Sequence, residues 1–459
     1  MDTLRDGRCR AAAAALLGPL VVALVMAAWN AAEARHEREG AAVADRKTWL
    51  AQGTKNPHAA AHFGVYAFKP WRPLTLFDRG VDAYLGQAVL LEAHRQNLFQ
   101  DRPAEDRTAL QRFGELTPAA VLQILLPLLV VLLAHGAFAG EREEGTLRQV
   151  ASLGVGGSSL ALGKGLGIGA VLALLLAPPA LAGTALLARA AGPADEALGR
   201  AALLALGYAL YLCGFLGLTL AVSAWASSSR LALVLLLGFW IANGLVVPRA
   251  IADLSGLVVR TPDAQALYDS VRRDVENGID GSGTAAERMS ALEDRVLKQY
   301  GATRKEDLPV SFAGLALQDA EDFAGRVFDR RMGAVWDGYR RQDRLHLAGG
   351  LVAPLLAVRA LSMGLAGTDL ESHRRFATAA EAYRREVIRV LNDDLTRHGK
   401  EPAYVAGREL WERVPVFTYE PSPLAQDLRR NLPPLGLLFF WCGLGVALAL
   451  AATRRLRVL

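Results

Sequence analysis

Two histidines four residues apart, His58 and His62 in NPHAAAHFG, would share one face of a helix, and that spacing is half of a metal site. Glu92 and His94 are the only other nearby candidates by sequence, so the expectation is a surface or interdomain helix with no metal. GVGGSSLALGKG has the look of a phosphate loop. However, the glycine before Lys164 has no partner at the required spacing, and Gly165 replaces the Ser or Thr that would hold magnesium. The chain is therefore not expected to hydrolyse ATP itself. Neither HExxH nor GxSxG occurs, so zinc-protease and serine-hydrolase chemistry is unsupported, and no catalytic residue or cofactor is assigned. Ionisable residues are almost absent from the apolar stretches. His135, near the inner end of the second stretch, is the exception, and without a proton relay an ion-driven transporter is disfavoured.

The remaining chemistry lies in GEREEGTLRQ, residues 140–149, a charged patch between two of the most apolar segments. Glu141, Glu143 and Glu144 at the start of a short helix suit its positive end and can pair with basic side chains on a docked partner. Leu147, Val150 and Leu153 follow at a spacing that forms an apolar edge. By residue type alone, the same stretch reads equally well as an interfacial loop whose charges anchor two spans.

The elements that must position these residues follow from composition. The chain has 459 residues, of which 52% are hydrophobic and 21% charged, a mixture of long apolar spans and water-facing segments. Six stretches reach the roughly 20 residues needed to cross a bilayer: 11–32, 118–139, 163–188, 201–224, 231–247 and 435–453. The first is longer than a signal-peptide core and reads as a retained anchor. Arg5, Arg8 and Arg10 precede it, and Arg454, Arg455 and Arg457 follow the last. Basic residues stay on the cytoplasmic side, so both termini are placed there; the resemblance given below implies a bacterial inner membrane. The turn at 192–196 then faces outward, with a weak bias because Arg189 and Arg200 flank it.

The expected fold class is an all-α membrane protein, six transmembrane helices with mainly helical extracytoplasmic domains. The expected units are 1–32 (tail and first span), 33–117 (first extracytoplasmic region), 118–248 (second to fifth spans, with 140–160 between two of them), 249–434 (large extracytoplasmic domain) and 435–459 (last span and basic tail). In the first region Asn56 and Pro57 open one helix, and a second is expected through VLLEAHRQNLF, with a proline-rich loop between them. In the large domain Thr284 and Glu287 form a capping box, and Met289, Leu292, Val296 and Tyr300 lie on one side of the helix that Gly301 stops. Phe376, Ala379, Ala380, Tyr383, Val387, Val390 and Leu391 repeat at the same helical spacing. The apolar segment 345–367 is interrupted by His346, Pro354 and Arg359. It reads as a core helix of the external domain or a segment dipping into the outer leaflet, not a seventh span. Cys9, Cys213 and Cys442 all fall in the inner tail or in spans, so external disulfides are not expected. The net charge of +5 forms no basic block interleaved with aromatics, which excludes nucleic acid as a partner. Gly163, Gly165, Gly167 and Gly169 alternate at the start of the third span, where small residues let helices approach.

A span ending in small residues, then EREEGTL, a short apolar stretch and a GK opening the next span resembles the permeases of the ABC-2 exporter superfamily. ANGLVVPRAIADL, DLPVSFAGLALQDAEDFAGRVFDRR and LSMGLAGTD are similar to a bacterial subgroup with a large external domain of unknown function. Essentially the whole chain is covered. The resemblance implies that Glu141, Arg142, Glu144, Gly145, Thr146 and Leu147, with Glu143, Val150 and Leu153 beside them, form a cytoplasmic coupling helix docking on a separate ATPase, and that Gly163 and Lys164 supply the GK. It further implies ATP and magnesium in that ATPase and none here, and a dimer with a second copy or a related permease in membrane lipid. A periplasmic or outer-membrane partner can be added. Export is the expected function. Mechanical work on a periplasmic assembly without flux, and an ATPase-independent receptor or scaffold, are the alternatives.

Overall fold

The computed structural model describes residues 7–97, 99–100, 116–192, 196–401 and 403–454, so Arg5, Arg455 and Arg457 lie outside the described residues. Six of the described helices are long and apolar enough to cross a membrane. They are α1 (Gly7–Leu50), α3 (Pro118–Glu143), α5 (Gly157–Ala190), α6 (Ala197–Trp225), α7 (Ser229–Val258) and α14 (Leu424–Arg454). The fold is all-α, as the hydropathy pattern predicts.

Several spans overrun their apolar limits. The helix of α1 continues to Leu50, α7 continues to Val258, and α14 starts at Leu424, ahead of its hydrophobic stretch. Two spans carry a wide π turn, at Val121–Leu125 in α3 and Ala242–Val246 in α7. Each has a proline cause, since Pro127 and Pro248 lack the N–H that would bond the carbonyl four residues earlier. The carbonyl freed by Pro127 is used, since Tyr211 Oη donates to Gln123 O at 3.0 Å, and Trp240 Nε1 donates to the neighbouring Ile124 carbonyl at 2.8 Å.

At the centre of the bundle α6 and α14 cross with backbones nearly touching. A Cβ on Gly217 would lie 2.4 Å from the Gly445 carbonyl carbon, and one on Gly445 would lie 2.5 Å from the Gly214 oxygen. The two helices are also joined by a buried pair, Arg200 Nη1 to Asp427 Oδ2 at 2.5 Å, so Arg200 is part of the packing.

The part outside the spans differs from expectation in its first region. After α2 (Pro57–Phe63) the chain forms β1 (Val65–Phe68), β2 (Ala88–Glu92) and β3 (Arg95–Gln96), an antiparallel sheet in the order β1-β2-β3. The helix expected through VLLEAHRQNLF is thus a hairpin, turned at Ala93 and His94, with His94 at φ 61°. Leu, Glu, Ala and Arg are good helix formers, but Val65 and Ala67 pair with Leu91 and Val89, and burial of that face overrides local preference.

The large domain follows as α8 (Ala264–Asn277), α9 (Ala285–Tyr300), α10 (Phe312–Gly349), α11 (Pro354–Ala366), α12 (Leu370–His398) and α13 (Arg408–Arg413). The capping box of Thr284 and Glu287 is present on α9, and Leu292 and Val296 are its buried residues. The two external regions share one core. Trp49, Ala60, Val65, Val89 and Leu91 pack with Ala380, Val387, Leu391, Leu410 and Trp411, and Lys55 bridges to Ala406. The segment 345–367 breaks after Gly349, and α11 then inserts among α6, α14 and the first half of α3. Leu355, Val358, Leu361 and Leu365 join the core of the spans, which makes α11 a buried plug in the bundle.

Candidate functional site

The charged stretch between the second and third spans forms a two-step ledge. The last turn of α3, Ala139–Glu143, follows a break at 135–138, and α4 (Thr146–Ser152) turns away from it at Gly145. Gly145 is at φ 77° and Gly154 at 75°, left-handed conformations that favour glycine and set both corners of α4. At the break, Ser223 on α6 accepts from the N–H groups of Phe138 and Ala139 at 3.0 and 3.2 Å. His135 turns back on its own helix, with Nδ1 3.1 Å from the Leu132 carbonyl.

Most of the charges in this ledge are used inside the chain. Arg142 donates to the carbonyls of Ala224 and Ala226 at 2.7 and 2.5 Å, closing the C-terminus of α6. Glu143 accepts from the Ser229 backbone N–H at 3.0 Å and its hydroxyl at 2.5 Å, at the N-terminus of α7. Lys164 on α5 pairs with Glu141 at 2.5 Å and lies over the Phe138 ring at 5.1 Å. The Thr146 hydroxyl donates to the Glu141 carbonyl at 3.2 Å. Leu147 is only 3% exposed and belongs to the core of the spans, so it is not free to enter a partner's groove. Val150 is half-buried, whereas Glu144, Arg148 and Gln149 are exposed and Leu153 is 79% exposed. The free face is therefore Glu144, Arg148 and Leu153, held by contacts to α5, α6 and α7. Where the ledge runs into α5, a Cβ on Gly157 would lie 2.1 Å from the Thr453 carbonyl of α14, a close approach that requires glycine.

A polar network behind α11 was not read from the sequence. Asn243 in α7 accepts from the Leu355 N–H at 3.0 Å and donates to the Tyr211 hydroxyl at 3.3 Å. Gln123 donates to the Tyr208 hydroxyl at 2.9 Å and accepts from Arg359 at 3.3 Å, and the Ser362 hydroxyl donates to Asp78. The available signal was an amide in each of two otherwise apolar runs, AVLQILLP and WIANGLVV. In a bilayer such groups must find partners, and here they fasten the plug to three spans.

The two histidines singled out by spacing do share a face of α2. Asn56 caps that helix by accepting from the His58 N–H at 2.9 Å, and the Nε2 atoms of His58 and His62 are 3.2 Å apart. The hairpin turn brings His94 beside them, with ring centroids 5.1 and 5.4 Å from those of His58 and His62. Burial, with the nearby His94 and His62, pushes the His58 imidazole below its usual value. Burial alone would raise the Glu321 carboxyl, yet hydrogen bonds from His94 and Arg384 and the charge of Arg384 hold it down at about 2. The other nearby candidate, Glu92, instead accepts from Asn97 at 2.8 Å.

Six helices long and apolar enough to cross a membrane, a ledge between the second and third that fastens four of them, and a long insertion before the last define a multi-pass membrane protein. Residues 75–265 match the family model of the ABC-2 family transporter proteins, and residues 265–420 match a domain of unknown function, DUF3526. The two matches meet at Gln265 and together span residues 75–420, the make-up of an ABC-2 transporter permease followed by an additional domain. Permeases of that family are membrane subunits, generally non-catalytic, and the match implies a partner ATPase. No curated protein matches the chain.

Proposed function

We propose that this permease is the membrane subunit of an ATP-driven exporter, paired with a second permease and powered by two ATPase subunits that dock on the Glu144, Arg148 and Leu153 face. Both termini and the ledge are then cytoplasmic, the large domain is external, and ATP and magnesium belong to the partner. The observation that carries this reading is the division of labour in the ledge. Arg142, Glu143 and Glu141 are spent on α6, α7 and α5, so a push on the exposed face reaches four spans at once. An apolar cleft of about 830 Å³ between α1, α5, α6 and α14, lined by Leu24, Leu166, Leu176 and Leu212 among others, supports an apolar cargo or a lipid-facing path.

The test is co-purification followed by transport. Glu144→Arg with Leu153→Asp should fold as the wild type, release the ATPase and abolish ATP-dependent flux of an apolar dye in inverted vesicles. Full retention of the ATPase by this variant sinks the reading. One observation favours a second reading, mechanical work on an external partner: α1 is one helix from the membrane to Trp49 in the external core, a lever between the two halves. ATP turnover that responds to the external domain, with no flux of any tested cargo, would select it.

A further inference from the structure

The three histidines of the external domain come from two elements distant from the membrane ledge. His58 and His62 sit one turn apart on α2, and His94 sits at the tip of the β2–β3 hairpin. One ring nitrogen from each lies within 4.8 Å of the others. The 3.2 Å between the Nε2 atoms of His58 and His62 is the separation of two ligands on one tetrahedral ion, about 3.3 Å for metal–nitrogen bonds of about 2.0–2.1 Å.

The orientation of His94 is set from behind. Glu321 on α10 accepts both the His94 backbone N–H at 2.6 Å and its ring Nδ1–H at 2.7 Å, which leaves Nε2 as the nitrogen with a lone pair. A carboxylate holding the far nitrogen of a ligating imidazole is the usual outer support of a metal site. Glu321 is itself pinned by Arg384 on α12, at 3.0 Å, and both side chains are almost fully buried, at 5% and 1% exposure. Arg384 also donates to the Glu92 carbonyl at 3.2 Å, so the hairpin and its histidine are fixed to two helices of the large domain.

We propose that His58, His62 and His94 form a binding site for one divalent transition-metal ion of the zinc or copper class. Three neutral imidazoles suit these ions, whereas calcium and magnesium require oxygen ligands. His62 and His94 are exposed, which leaves an entry path and a fourth position for water or a ligand from another molecule. The ion would join α2 to the hairpin, and through Glu321 and Arg384 to α10 and α12. This inference is independent of the exporter reading, because it needs only the folded external domain.

The test uses the full chain in detergent with any polyhistidine tag removed, titrated with zinc or copper(II) against a chromophoric chelator. The wild type is expected to bind one equivalent, and its melting temperature to rise with metal by mass action. His62→Ala should lose more than 100-fold in affinity with unchanged metal-free melting, and His94→Asn, chosen because Asn tolerates the left-handed turn, should lose as much in affinity with a lower metal-free midpoint, because buried Glu321 loses its ring N–H partner. Glu321→Gln keeps all three ligands and should lose about 10–100-fold, the cost of removing an outer-shell partner. Wild-type binding no tighter than that of the triple His58→Ala, His62→Ala, His94→Asn variant overturns the proposal. So does wild-type affinity in His94→Asn, which would leave only a two-histidine surface contact.

Discussion

At the scale of single residues, the ledge separates two jobs that residue type alone cannot distinguish. Arg142 and Glu144 are both charged and two positions apart, but Arg142 closes a helix end while Glu144 faces solvent. Removing the guanidinium leaves the carbonyls of Ala224 and Ala226 without their partner, and hydrogen bonds from a charged donor contribute about 1.5–3 kcal/mol. Arg142→Ala is accordingly expected to lower stability by about 2 kcal/mol, read as a lower midpoint in a detergent thermal melt. Glu144→Arg should leave the midpoint unchanged. Equal midpoints for Arg142→Ala and the wild type would show that the cap is dispensable. The same distinction explains what was legible. The motif and its charges were visible in the sequence, but which charges turn inward depends on Ala224, Ala226 and Ser229, some eighty residues away.

At the scale of elements, span number and approximate limits followed from hydropathy because each span must bury about 20 apolar residues along its own length. Spacing within a helix marked the buried side of α12, whereas of the α9 stripe only Leu292 and Val296 are buried and Met289 and Tyr300 stay exposed. The close contacts between helices were less legible. The alternating glycines of α5 marked a packing face by composition, yet a Cβ on Gly163, Gly167 or Gly169 would meet nothing within 4 Å among the described residues. The close approach is instead between Gly214 and Gly217 on α6 and Gly445 on α14, residues far apart in the chain. Gly445→Val should therefore force the two spans apart at a cost of about 1–3 kcal/mol or prevent stable insertion. Gly167→Ala should be neutral or slightly stabilising, since alanine is the better helix former by about 0.5–1 kcal/mol. Melting midpoints of the two purified variants test the pair. A tolerated Gly445→Val would mean that the crossing is looser than its geometry implies.

At the scale of the whole molecule, the sequence reads as two external regions separated by four spans, whereas the structure closes them into one body. Periodicity detects faces, not their partners. Nothing in NPHAAAHFG or VYAF names the α12 face that covers them. The seam is specific: Trp49 Nε1 donates to the Trp411 carbonyl and Trp411 Nε1 to the Gly53 carbonyl, both at 2.9 Å, with the rings 5.9 Å apart at 71°. The region matched as a domain of unknown function, 265–420, therefore lacks part of its own core when taken alone. Expressed by itself it would leave Val387, Leu391, Leu410 and Trp411 without Trp49, Val65 and Leu91, a loss of several large contacts each worth about 2–5 kcal/mol. That exceeds the margin of most domains. The isolated 265–420 fragment is expected to bind a hydrophobic dye and melt without a sharp transition. A fusion that restores residues 45–100 through a flexible linker should melt cooperatively and lose dye binding. A cooperative melt of the fragment alone would show that the domain has a sufficient core of its own, and that the first region is an attachment to it.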